Sequence, residues 1–178
     1  MIQRSFLATS LLATSLLGCS DPVPDPARGA VEIHIKSALS TPTGMGCNVG
    51  AHRAQIGAVN EGEIGERAED GAGADVSCKV TGSGPFSFSG SIKKGSVSFS
   101  VQGSAPAVGD SGEAYIVEYD PTSATSLESP QETPCTVALI EAAPGKIWAS
   151  FDCSAFADTS TNLFCAAQGH FFFERCDQ

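Results

Sequence analysis

The stretch P-F-S-F-S-G-S-I-K-K-G-S-V-S-F-S-V-Q-G, residues 85–103, reads as two strands folded back on each other. A two-residue turn at Lys94-Gly95 sets Ile92 opposite Val97, Gly90 opposite Phe99 and Phe88 opposite Val101. Every apolar residue then lies on one face, and serine and lysine take the other. A slip of one residue would turn one strand's apolar set into water, so the alternation specifies the pairing. In this register the Phe99 ring covers the bare backbone of Gly90.

The same period of two extends outward from this hairpin. Val31, Ile33 and Ile35 alternate with Glu32, His34 and Lys36, which places His34 on the polar face as a surface residue. Val76, Cys78 and Val80 alternate in turn, and Tyr115, Val117 and Tyr119 give another strand. A second hairpin centres on Pro144-Gly145, with Cys135 opposite Cys153, Val137 opposite Phe151, Leu139 opposite Ala149 and Glu141 opposite Ile147. The chain closes on G-H-F-F-F-E-R-C, whose aromatic run implies burial on both faces and makes His170 a packed or edge residue. Residues 44–75 read as loop with one weak strand at Gln55–Val59, and 121–134 as a second loop. No amphipathic helix and no fixed-period repeat stands out. The expectation is an all-β fold, an antiparallel β-sandwich or barrel-like domain of about eight short strands stapled by disulfides.

Seven cysteines divide into Cys19 near the start and six in the domain: Cys47, Cys78, Cys135, Cys153, Cys165 and Cys176. An even set without C-x-x-C spacing implies three disulfides in an oxidising compartment, and neither structural zinc nor thioredoxin-like chemistry is expected. The parity that pairs the apolar residues of the second hairpin also pairs Cys135 with Cys153. Cys47 with Cys78 and Cys165 with Cys176 complete the simplest local scheme. A rival scheme joins Cys153 to Cys165 and Cys135 to Cys176. Six cysteines allow 15 connectivities, and spacing does not choose among them.

Ahead of Cys19 stand one basic residue, Arg4, and an apolar run from Phe6 to Leu17, the layout of a secretory signal and too short for a membrane-spanning helix. Leu16-Leu17-Gly18-Cys19 resembles the lipobox of bacterial lipoproteins. The resemblance implies cleavage after Gly18 and acyl chains on Cys19, two or three of which anchor a protein durably. It also implies an outer-membrane address, because Ser20 rather than Asp follows the cysteine, with the domain facing the periplasm or the cell surface. The expected organisation is a signal over 1–18, the lipidated Cys19 with a proline-rich tether over 19–29, and a β-domain over 30–178. At roughly 3.1 Å per residue the tether spans about 30 Å. W-A-S-F-D-C at 148–153 and C-x-A-x-G-H-F-F-F-E-R-C at 165–176 resemble small six-cysteine lipoproteins of delta-proteobacteria such as myxobacteria. Those are of unknown function, so this likeness implies a fold and no chemistry.

The chain carries 20 acidic residues against ten basic ones, a net charge of −10. Nucleic acid is therefore not an expected partner, since phosphate binding needs a basic face. The acidity reads as solubility more than as a binding patch. The expected partners are the membrane, through the lipid, and an envelope protein or glycan. Candidate chemistry is sparse, and neither a catalytic set nor a cofactor or metal site is expected. Gly109-Asp110-Ser111-Gly112 matches four letters of the nucleophile motif of chymotrypsin-like proteases, with His52 upstream, but Glu113 breaks the motif and G-D-S-G also makes a good turn. Asp70 and Asp75, with Glu66 and Glu69, offer oxygen ligands to Ca²⁺ but lack the alternation of an EF-hand loop, so a solvated acidic loop is preferred. Trp148 is the single tryptophan, on the face away from Phe151. It marks either a protein or carbohydrate contact or a second layer of packing. The leading functional expectation is a non-enzymatic binding or structural module of the envelope. The alternative is a secreted-type hydrolase or inhibitor domain using Ser111 or the acidic loop.

Overall fold

Apolar alternation carries through into an all-β structure. The computed structural model describes residues 24–37, 40–41, 44–47, 52–121, 125–161 and 163–177, with 13 strands and no helix among them. They are β1 (Arg28–Lys36), β2 (Ser40–Thr41), β3 (Gly44–Met45), β4 (His52–Ile56), β5 (Ala68–Glu69), β6 (Asp75–Thr81), β7 (Phe86–Lys94), β8 (Val97–Ala105), β9 (Ser111–Asp120), β10 (Thr125–Glu128), β11 (Cys135–Ala143), β12 (Lys146–Asp158) and β13 (Leu163–Glu174). Eight of these have seven residues or more, the number expected, though several are longer than expected. The segment expected to be a signal, residues 1–18, and Cys19 lie outside the described residues. β1 begins at Arg28, so the last two residues assigned to the tether belong to the sheet, where Gly29 pairs with Phe173.

Eleven strands form one antiparallel sheet in the order β4-β1-β13-β12-β10-β9-β8-β7-β6, and β11 bridges β12 and β9 beside β10. The first half of β9 pairs with β11 and its second half with β10. Ser129 closes the gap between them: it is buried, its Oγ accepts from the Ile116 N–H at 2.8 Å, and its own N–H donates to the Ile116 carbonyl at 2.9 Å. The sheet folds over so that β7 and β8 face β12 and β13. Phe88 meets Phe171 across the interior at 5.9 Å between ring centroids, and Phe99 meets Phe151 at 6.0 Å. Burying large side chains of this kind contributes about 1.5–3 kcal/mol each.

The first hairpin differs from its expected register. Lys94 pairs with Val97, so the turn is Gly95-Ser96, and Ile92 lies opposite Phe99, Gly90 opposite Val101 and Phe88 opposite Gly103. Gly95 has φ +63°, and a glycine at the first central position suits a two-residue hairpin turn, which explains why the turn sits one residue later. Parity is unchanged, so the buried face is the expected one. The ring over Gly90 belongs to Phe173 of β13, not to Phe99. In the second hairpin Val137 pairs with Phe151 and Leu139 with Ala149 as expected, but a bulge then sets Glu141 opposite Trp148.

Of the expected disulfides, Cys135–Cys153 is present. The other two pairings are different: Cys47 joins Cys165, and Cys78 joins Cys176. Neither the local scheme nor its rival holds for those four, because the sheet fold-over sets β6 beside the end of the chain. Val80 N–H donates to the Asp177 carbonyl at 2.9 Å, and Asp177 N–H to the Cys78 carbonyl at 2.9 Å.

The closing strand is buried on both faces, as its aromatic run implied. Phe171 and Phe173 enter the main core, whereas Phe172 forms a small second cluster with Ala30 and Val59, against which Ile64 and Trp148 pack. The role of Trp148 is thus second-layer packing. Arg67 and Lys146 lie over the Phe172 ring at 5.4 and 5.8 Å from its centroid.

Candidate functional site

One strand turns two carboxylates inward. Along β9 the buried residues are Ala114, Ile116, Glu118 and Asp120, while Tyr115, Val117 and Tyr119 take the outer side. Glu118 lies opposite Phe99 on one flank and Leu127 on the other, and Asp120 opposite Thr125. On β4 the inward residues are His52, Ala54 and Ile56, with His52 opposite Ile35 of β1. The fold-over brings the start of β4 against the end of β9. His52 Nε2 thereby lies 3.7 Å from Glu118 Oε1 and 3.5 Å from Asp120 Oδ2.

This is the one described group of three histidine, cysteine or acidic residues whose donor atoms could share a metal ion, all within 4.8 Å of one another. Glu118 is 1% exposed and Asp120 5%. Neither Glu118 oxygen nor His52 Nε2 has a hydrogen-bond partner among the described residues. Burial, and secondarily the charge of Asp120, push the Glu118 carboxyl up to about 7. An unpaired buried carboxylate is among the more expensive things a core can hold.

No family model, curated protein or solved structure matches the chain. What the site can do therefore follows from its own donors, one imidazole nitrogen and two carboxylates.

Elsewhere the residues singled out in the sequence have structural partners. Ser111 is exposed at the start of β9, seven residues from Glu118, which is roughly 23 Å at about 3.3 Å per residue along a strand. His52 is therefore not within reach of it as a base. In the G-D-S-G segment Gly109 has φ +86° and its N–H donates to the Leu139 carbonyl at 2.9 Å, while a Cβ on Gly112 would collide with the Ser104 carbonyl. Turn geometry and close strand approach account for both glycines.

The acidic loop disperses its carboxylates. Glu69 pairs with Arg28, Glu66 with Lys94 at 3.7 Å, and Asp70 Oδ1 accepts from the Val76 N–H at 3.0 Å. His34 is half exposed, with its Nε2 2.6 Å from Glu32 Oε1, and Arg53 reaches the same oxygen at 2.9 Å. Burial raises the Glu32 carboxyl, but the hydrogen bonds from His34 and Arg53 outweigh it and hold the group below its ordinary range. His170 is half-buried on β13, and burial lowers it.

The sequence offered little signal for the site. Tyr115, Val117 and Tyr119 alternate as an apolar face should, and burying Glu118 and Asp120 instead runs against ordinary partition. His52 sits in loop-like, glycine-rich sequence far from both.

Proposed function

We propose that this chain is a lipid-anchored protein of the bacterial cell envelope whose β-domain acts as a non-enzymatic binding or structural module. The observation that carries this reading is the cysteine balance. Six of the seven cysteines pair among themselves within the domain, which leaves Cys19 as the one outside the disulfide framework. A cysteine left out of the disulfides and standing behind an apolar leader supports lipid attachment at its thiol. Three disulfides in a domain of this size accord with an oxidising compartment outside the cytoplasm.

The ligand-facing surface we favour is the outer side of β6–β9. Ser77, Ser89, Ser91, Ser100, Gln102 and Tyr115 line an open groove of about 500 Å³ there. Hydroxyl and amide groups with one aromatic ring, flanked by Lys79 and Asp177, suit a hydroxyl-rich ligand such as an envelope glycan.

Intact mass and membrane fractionation of the natural protein test the anchor, alongside Cys19→Ala. The natural protein should begin at Cys19, carry acyl chains and partition with the outer membrane. A mass without lipid, or a variant that stays in the lipoprotein fraction, would overturn the anchor.

A further inference from the structure

We propose that His52 Nε2, Glu118 and Asp120 bind a first-row divalent transition-metal ion of the Zn²⁺ class. The inference is independent of the anchor and of the β6–β9 groove.

Three observations carry it. First, the donors stand farther apart than hydrogen-bonded groups yet near enough to share one ion, all within 4.8 Å of one another. His52 Nε2 stands 3.7 Å from Glu118 Oε1 and 3.5 Å from Asp120 Oδ2. Hydrogen bonds between such groups close to about 2.7–3.2 Å. Donors held at about 2.1 Å from a tetrahedral ion are separated by about 3.4 Å along each edge. Second, Glu118 is 1% exposed, neither of its oxygens has a hydrogen-bond partner among the described residues, and Oε1 faces His52. None of the ion pairs among the described residues brings a Lys or Arg to it. A cation between the three donors would supply the missing partner for the carboxylate and for the imidazole at once. Third, the donor types select the ion. A neutral imidazole nitrogen suits zinc and its neighbours, whereas Ca²⁺ and Mg²⁺ take oxygen ligands alone. The His52 side chain remains 14% exposed, which leaves the ion a route from solvent, and the net charge of −10 raises the local concentration of cations.

The test uses the full chain carrying Cys19→Ser, so that no unpaired thiol competes for metal. After chelator treatment it is titrated calorimetrically with Zn²⁺, Ca²⁺ and Mg²⁺ at neutral pH, and melted with and without Zn²⁺. One Zn²⁺ should bind per chain and raise the melting temperature, with Ca²⁺ and Mg²⁺ weaker. Glu118→Gln and His52→Ala should each weaken Zn²⁺ binding more than about 100-fold, beyond the 10–100-fold cost of losing a supporting partner. Asp75→Asn, at the exposed start of β6, should bind as the parent does. Metal-free Glu118→Gln should melt no lower than the metal-free parent, since the carboxylate has no hydrogen bond to lose. No saturable Zn²⁺ binding by the parent, undiminished binding by folded Glu118→Gln, or tighter binding of Ca²⁺ than of Zn²⁺ would each overturn the site. So would a Glu118→Gln variant that melts lower while the parent ignores Zn²⁺, because the carboxylate would then be structural.

Discussion

Gly90 of β7 lies directly beneath the ring of Phe173 of β13. A Cβ built on Gly90 would stand 2.6 Å from Phe173 Cε2 and 2.8 Å from Cζ, although the two residues belong to strands at distant places in the sheet order. The contact is a measure of how tightly the folded-over halves are pressed together. Gly90→Ala should therefore destabilise the domain by about 1–3 kcal/mol through overpacking. Phe173→Ala, which leaves a cavity, should cost about 3–5 kcal/mol. The double variant should lose less than the sum, because the smaller side chain at 173 makes room for the added methyl. Denaturant titration of the three variants checks this, and simple additivity would refute the contact.

The disulfides close loops of very different length. Cys47–Cys165 spans 118 residues and Cys78–Cys176 spans 98, against 18 for Cys135–Cys153. Loop-closure entropy assigns about 4.7 kcal/mol to a 100-residue loop and about 3 kcal/mol to a 15-residue one. Replacing either long-range pair by alanines should thus cost about 1–2 kcal/mol more than replacing Cys135 and Cys153. Peptide mapping without reduction should recover Cys47 linked to Cys165 and Cys78 linked to Cys176. A Cys47–Cys78 peptide would contradict the folding-over of the sheet.

Asp158 gives the domain an acid-sensitive element. It is buried at the end of β12, and it accepts from the Ser160 N–H at 2.8 Å, Ser160 Oγ at 2.6 Å and Thr161 Oγ1 at 2.8 Å. Burial alone would raise its carboxyl, but these donors outweigh that effect and hold it below its ordinary value of 3.8. A carboxyl with a depressed folded-state pKa stabilises the fold above its unfolded value, and that contribution is lost as pH falls through the folded one. Asp158→Asn should accordingly cost about 1–3 kcal/mol at pH 7, and the difference from the parent should shrink as pH drops below roughly 4. Urea titrations at neutral and acid pH supply the comparison; a gap that does not change with pH would remove the carboxylate from the account.

Local pattern was enough to read the class of fold and much of its core. Side chains on a strand alternate with a period of two, so Val31-Ile33-Ile35, Val76-Cys78-Val80 and the 85–103 hairpin declare their buried faces without any knowledge of what covers them. Cys135–Cys153 was legible for the same reason, because a tight turn brings the two strands into a register that the apolar residues also demand. Only the tertiary structure decided the pairing of the other four cysteines, the ring that lies over Gly90, and the meeting of His52 with Glu118 and Asp120. Each depends on how the sheet folds over, which places the start of β4 against the end of β9 and β6 beside the end of the chain, and no spacing along the sequence encodes that. On β9 the alternation marked two faces without choosing between them: Tyr115, Val117 and Tyr119 lie on the outer side, and the inner side of the sandwich takes Ala114 and Ile116, and with them two carboxylates. A strand's period marks two faces, and the partner layer decides which of them is inside.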